Sequence, residues 1–255
     1  MNDTRSLYTQ LRGRAREIAA RLPAVDFYRK EAAAVDVSRG LFETAPLVLQ
    51  LRRKVAAGLE DDFGHGELHA TQVALDAGAL THIEGRAAGY AGDYLARRIS
   101  IVHCAGLLHD VLRKQSNHAE QGATHAVRLL AEHPLSTDEI EDIRIAIRNH
   151  EAFKTGVSVN TREGALVSDC LYDADKFRWG PDNFTDTLWA MVAFRRPTLR
   201  DFIKGYPAGM DGLVRIRSTF RTPTGRIYGP QFIDAGIAIG EELYRVIQNE
   251  FSTYL

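Results

Sequence analysis

The run Ile101–Leu108 (IVHCAGLL) carries the chain straight into His109 and Asp110. Its last four residues, Ala105-Gly106-Leu107-Leu108, are an apolar run of the kind that belongs in a core. His109 continues the helical stripe of Leu95, Ile99, Val102 and Ala105, so the His-Asp pair is expected late on a buried helix. Burying a carboxylate without a counter-charge is strongly unfavourable, and a metal cation commonly satisfies an Asp beside a His. On a helix Asp110 lies about 100° around from His109, so both side chains can reach one ion held against a facing helix. The stretch 101–118 therefore predicts a metal site with helical walls.

The rest of the chain reads as helices. Its 255 residues suffice for one large domain or two small ones, and no segment shows useful β-alternation or an internal repeat. Leu7, Leu11, Ile18 and Leu22 define an amphipathic helix whose arginines, Arg5, Arg12, Arg14, Arg16 and Arg21, are expected to meet water. Pro23 closes it, and a second helix is predicted from about Ala45 to Leu59. In the segment Phe63 to Leu80, His65 and His69 share a face. His69 aligns with Val73, Ala77 and Leu80, whereas His65 sits where the helix starts, between Gly64 and Gly66, so His69 is the better ligand candidate. A glycine-punctuated connection, Gly85 to Gly92, leads into the helix that ends at His109.

Beyond the dipeptide, Arg113 and Lys114 suit either a solvated helix end or phosphate binding. Ser116-Asn117 are expected to cap a helix from His118 to Glu132, stopped by Pro134. His118 returns toward Asp110 and ranks above His125, which reads with His82, His103 and His133 as a core histidine. Ser136 and Glu139 form a capping box for a helix whose stripe, Ile140, Ile143 and Ile147, ends in His150, an inward polar residue that needs a partner. The helix Arg162 to Arg178 holds Asp169, Asp173 and Asp175. Asp173 and Asp175 are about 200° apart, and periodicity does not say which faces inward. Helices are then expected over Phe184–Phe194, Thr198–Lys204 and Gln231–Phe251, the last after a turn at Thr222–Gly225, with Gly205-Tyr206-Pro207 read as a helix-stopping turn. The expected division is 1–60 as N-terminal helices packed on the core, 61–180 as the metal-binding core and 181–255 as a C-terminal extension of the same domain.

Lys+Arg 32 against Asp+Glu 33 gives a net charge of −1, so no basic field points to nucleic acid. Two cysteines, Cys104 and Cys170, each in an apolar helical stretch, read as buried reduced thiols of a cytoplasmic protein. The N-terminus lacks the apolar core of a secretory signal, and no apolar stretch reaches the roughly 18 residues of a membrane span.

Taken together, the ordered set H…HD…H…H…D resembles the HD-domain superfamily of metal-dependent phosphohydrolases. The likeness covers roughly residues 60 to 180, in the texts GHGELHATQV, AGLLHDVLR, NHAEQGA, IRNHE and YDADKF. It implies an all-α, HD-domain-like helical bundle with additional N- and C-terminal helices. It implies too that His69, His109, Asp110 and Asp175 hold one divalent metal, the last ligand being the aspartate of the ADK text. Members with the fuller set use the equivalent of Asp110 to bridge to a second ion, here on His118 and His150. The sequence does not distinguish Mn, Mg, Co, Fe, Ni and Zn. The implied activity is hydrolysis of a small phosphorylated, nucleotide-like substrate by a metal-activated water. Asp110, His118, Arg113 and Lys114 are the expected catalytic groups, and Arg113, Lys114, Lys154 and Lys176 the cations that bind substrate. Neither nucleic acid nor membrane is an expected partner, and a homo-oligomer is compatible with the reading. Gly205-Tyr206-Pro207 does not extend the likeness to the branch that cleaves cyclic dinucleotides, because it follows the last aspartate and Asn149 replaces that branch's first histidine. Two alternatives stay open: a diiron oxygenase of the same fold, like myo-inositol oxygenase, and a non-catalytic nucleotide-binding module.

Overall fold

The chain winds into helices whose buried stripes converge on the pair α5 (Glu67–Ala87) and α6 (Gly92–Leu108). A computed structural model describes residues 2–56 and 66–255, and all regular structure among the described residues is helical. His65 and residues 57–59 of the expected second helix lie outside the described residues. Where α5 and α6 cross, the backbones nearly touch: a Cβ at Gly106 would stand 2.6 Å from Ala74 Cα. One turn of α5 further on, Gly78 leaves the room in which His103 Nε2 meets Ser38 Oγ at 2.9 Å. His103 is fully buried, and burial pushes it down to about 3, so it stays neutral. The helix α5 runs through Gly85, beyond its expected end. It closes in a Schellman motif, with Tyr90 N–H bonding Gly85 O and Gly89 N–H bonding Arg86 O. Gly89 supplies the positive φ, 87°, that this stop requires.

Two of the helices that pack on this pair are α8 (Thr137–Arg148) and α9 (Arg162–Phe177), and α7 (His118–Leu130) packs on α8. The expected capping box of α8 is present, Ser136 Oγ accepting from Glu139 N–H and Glu139 Oε2 from Ser136 N–H. Thr161 caps α9 through Gly164 N–H. Asn117 stands at the N-cap of α7 but makes no side-chain bond there.

At the N-terminal side, α1 (Asn2–Arg21) buries Leu7, Leu11, Ala15 and Ile18. Its arginines do more than meet water: Arg12 and Arg16 both bind Asp186, Arg14 binds Glu17 and Glu250, and Arg21 binds Glu242. Exposed pairs are individually weak, so the apolar stripe carries the docking. Between α1 and α4 (Pro46–Ala56) the periodicity pointed to no helix, yet α2 (Asp26–Lys30) and α3 (Ala32–Thr44) fill the interval. The inward face of α3 is Ala34, Ser38 and Phe42. Its central serine, which bonds His103 and the Leu75 carbonyl, interrupts the apolar signal.

The C-terminal third departs most from expectation. A π-helical turn, Asn183–Thr187, leads into α10 (Leu188–Arg195), and α11 runs from Leu199 to Ile216 straight through Gly205-Tyr206-Pro207, which is therefore not a stop. Leu199, Tyr206, Leu213 and Ile216 are buried, and Tyr206 donates to the Gly240 carbonyl at 2.8 Å. That packing outweighs the cost of the internal proline. The final helix, α12 (Pro223–Glu250), begins eight residues before the expected Gln231. Thr222-Pro223 is not a turn but its N-cap and first residue, where proline's missing N–H costs least. Phe232 of α12 stacks on Phe177 of α9 at 4.2 Å between centroids, with Phe27 and Phe220 around them.

Both cysteines are free and buried. No helix among the described residues is long and apolar enough to cross a membrane.

The α5–α6 contact can be tested directly. Helix propensity alone favours Gly106→Ala by about 1 kcal/mol, but the collision with Ala74 should reverse the sign to a loss of about 1–3 kcal/mol. Urea unfolding should show a lower midpoint at an unchanged m-value. An unshifted or raised midpoint would show that the helices do not approach so closely.

Candidate metal centre

Six buried side chains from five segments meet where these helices end. His69 comes from the first turn of α5, His109 from the C-cap of α6, and Asp110 from the turn after it. His118 opens α7, His150 lies just beyond the last turn of α8, and Asp175 is in the last turn of α9. The dipeptide thus sits past the helix end rather than within it. Terminal positions let side chains converge without wedging the helix bodies apart.

The donor atoms form two groups that share Asp110. In the first, His69 Nε2 and His109 Nε2 are 3.3 Å apart, and Asp110 Oδ2 lies 3.9 Å and 3.5 Å from them. Asp175 Oδ1 adds contacts of 3.5 Å to His69 Nε2 and 3.7 Å to His109 Nε2. In the second, the other oxygen, Asp110 Oδ1, is 3.4 Å from His118 Nε2 and 3.3 Å from His150 Nε2. Donors around a divalent ion at about 2.1 Å stand roughly 3.0–3.4 Å apart when adjacent and about 4.2 Å when opposite; the second group matches the adjacent spacing and the first is a few tenths of an ångström wider, within what small side-chain shifts close. Their chemistry, imidazole and carboxylate, suits a borderline divalent ion. The rings are also aimed: His109 Nδ1 bonds the Gly106 carbonyl and His150 Nδ1 the Ile147 carbonyl, each at 2.7 Å. With Nδ1–H committed, Nε2 presents its lone pair to the centre.

The two acids that periodicity could not separate have different surroundings. Asp175 faces the histidines. Burial alone would raise its carboxyl, but Lys176, His109 and His69 outweigh that and hold it well below the usual carboxylate range. Asp173 points the other way and accepts from Arg221 N–H, Thr222 N–H and Thr222 Oγ1, at 2.7–2.8 Å, securing the start of α12. Asp169 reaches Arg221 at 3.8 Å at the surface.

The four cations expected to meet substrate are placed unequally. Arg113 lies at the centre, its Nη1 donating to His118 Nε2 at 2.7 Å and its Nε 4.0 Å from Asp110 Oδ2. Lys176 is buried, its ammonium donating to the His150 carbonyl and to Asp175, so it holds two of the candidate ligands in place. Lys114 and Lys154 are exposed on the turns that follow Asp110 and His150. Burial pushes His118 down to about 4, opposed by Asp110 and reinforced by Arg113 and His150. Burial also opposes charge on His109, but Asp110 and Asp175 prevail and raise it.

Of the other histidines, His103 and His133 are buried, as core residues should be, while His82 and His125 are only half-buried. Sequence reasoning missed the buried cluster beside the site, in which Arg178 binds Asp76, Asp182 and the Tyr28 hydroxyl. Asp76 stands seven residues after His69 on the same helical face, and that spacing was the available signal.

Comparison of the chain with protein-family models, with curated proteins and with solved structures returns no match.

Two measurements separate these roles. Asp173→Ala strands buried donors and should cost at least about 2 kcal/mol of stability, whereas Asp175→Asn should weaken metal retention by at least about 100-fold with the helices intact. Circular dichroism with elemental analysis reads both; the reverse pattern would exchange the assignments. Arg113 contests the lone pair that a second ion would need on His118. Arg113→Ala should therefore raise the bound divalent metal toward about two equivalents per chain. Unchanged stoichiometry would mean that the guanidinium does not compete.

Proposed function

We propose that the chain is a metal-dependent phosphohydrolase acting on a small phosphorylated molecule. The observation that carries the reading is the shared carboxylate, with Asp110 turning one oxygen to His69 and His109 and the other to His118 and His150. On this reading His69, His109, Asp110 and Asp175 hold one divalent ion, and Asp110, His118 and His150 a second. The arrangement is compatible with the HD-like fold that the ordered motifs suggest. Bound there, a divalent ion supplies Lewis-acid polarisation of a phosphoryl oxygen and a water of lowered pKa.

The protein's own groups do the rest. On this reading Arg113, which stands beside Asp110 and His118, pairs with phosphoryl oxygens and stabilises charge that develops on them. His118, neutral near pH 7, offers a site for a proton wherever it is not engaged as a ligand. Lys176 keeps Asp175 ionised and fixed in place. Beside His69, Asp175 and Arg113 opens a cavity of about 430 Å3, large enough for a small organic ligand.

Phosphate release from a panel of phosphomonoesters and nucleotides, assayed with each divalent ion added to metal-free protein, tests the reading. Asp110→Ala should bring release to background while circular dichroism keeps its helical signal. Undiminished release in that variant would overturn the assignment. Dioxygen consumption by iron-loaded protein without phosphate release would move the site to the diiron oxygenases, and tight nucleotide binding without turnover to a sensing module.

A further inference from the structure

The cavity beside the site is built for hydrocarbon. Its metal-facing end is His69, Asp175 and Arg113; its far walls are Leu188, Met191 and Val192 of α10 and Phe202, Met210 and Leu213 of α11. Two of the chain's three methionines therefore line one space, and methionine makes an adaptable apolar surface. Several polar groups around it are already engaged. The Tyr206 hydroxyl bonds the Gly240 carbonyl, the Arg178 guanidinium is taken by Asp76, Asp182 and Tyr28, and Asp201 accepts from Thr198. Asn183, Thr187 and Arg195 line the space too, yet its lining is mainly apolar, which suits an alkyl chain.

Two glycines of α11 bear on the width of this space. Gly205 and Gly209, one helical turn apart, both line the cavity, and a Cβ at either would meet no atom within 4 Å. Each costs its helix up to about 1 kcal/mol relative to alanine and gains no close packing in return. Gly78 and Gly106, by contrast, sit under a neighbouring side chain or backbone. Gly205 and Gly209 are exposed, and Gly13, Gly40 and Gly212 have equally open surroundings away from the cavity; what sets Gly205 and Gly209 apart is that they line it, so a long side chain at either would narrow the space.

We propose that this cavity takes the aliphatic chain of an alkyl phosphomonoester, its phosphate at the end where Arg113 and His69 stand. The proposal rests on the phosphohydrolase reading and specifies its substrate class. The reaction breaks the ester P–O bond: water gives its oxygen to phosphorus and a proton to the departing alkoxide, releasing the alcohol and inorganic phosphate.

Titration of the full chain with non-hydrolysable n-alkyl phosphonates, from butyl to decyl, by calorimetry and by the fluorescence of Trp179 at the cavity wall tests the binding part. Affinity should rise about fourfold per methylene until the cavity is full, and octyl phosphonate should bind more tightly than a nucleoside monophosphate. Gly209→Leu should end the rise at a shorter chain, at a melting temperature equal to or above that of the wild type, since leucine is the better helix former. Gly205→Ala is a milder second variant should the leucine disturb folding, and the chain-length series on the unaltered protein needs no variant. Affinity independent of chain length, or tighter binding of the nucleotide, would overturn the proposal. The two readings fail separately. Chain-length-dependent binding without hydrolysis of the matching alkyl phosphates retains the cavity assignment and removes the enzyme, whereas nucleotide hydrolysis without a chain-length response does the opposite.

Discussion

The close approach of α5 and α6 governs the rest of the structure. Because Gly106 presents no side chain, its backbone can lie on Ala74, and this brings the first turn of α5 against the last turn of α6. His69 and His109, forty residues apart in sequence, then stand with their Nε2 atoms 3.3 Å apart. The same Gly106 carbonyl accepts the bond that orients His109. A single packing constraint thus sets both the distance between two donors and the angle of one of them.

The buried acids around this contact are stabilised in different ways, and the differences sort their roles. Asp76 has an arginine and a tyrosine hydroxyl, the pairing expected of a structural charge. Asp173 has backbone donors and a threonine, which tie α9 to the start of α12. Asp175 has one lysine and two histidines, and Asp110 lies between two histidine groups. Acids turned toward imidazole lone pairs, rather than toward guanidinium or amide N–H, are the ones placed to share a cation.

The C-terminal helices do not supply the candidate ligands; they shape what lies in front of them. Helices α10 and α11 wall the cavity, and α12 ties α11 to the core through Tyr206 and Gly240 and through its own Phe177–Phe232 stack on α9. The two parts of the chain thus differ in what they present, with the candidate ligands on α5 to α9 and mainly hydrocarbon from α10 and α11.

By itself the sequence determined the all-helical class, because apolar residues recur at three and four throughout, and it determined which histidines turn inward at the ends of apolar stripes. His69, His109 and His150 were legible for that reason, and His118 because it opens a helix that returns toward Asp110. Periodicity could not choose between Asp173 and Asp175, since both lie on a helix that is buried nearly all round. The tertiary structure decided that point, because only the neighbours of each acid reveal which faces imidazole and which faces amide N–H. It decided the extents of α11 and α12 as well. Local chemistry put a stop at Gly205-Tyr206-Pro207 and a late start at Gln231, but burial of Leu213 and Ile216 in one helix and of Tyr228 in the other outweighs those local preferences. Helix α3 escaped notice because its inward Ser38 serves a histidine sixty-five residues away. A stripe that is partly polar shows its direction only when the partner is in place.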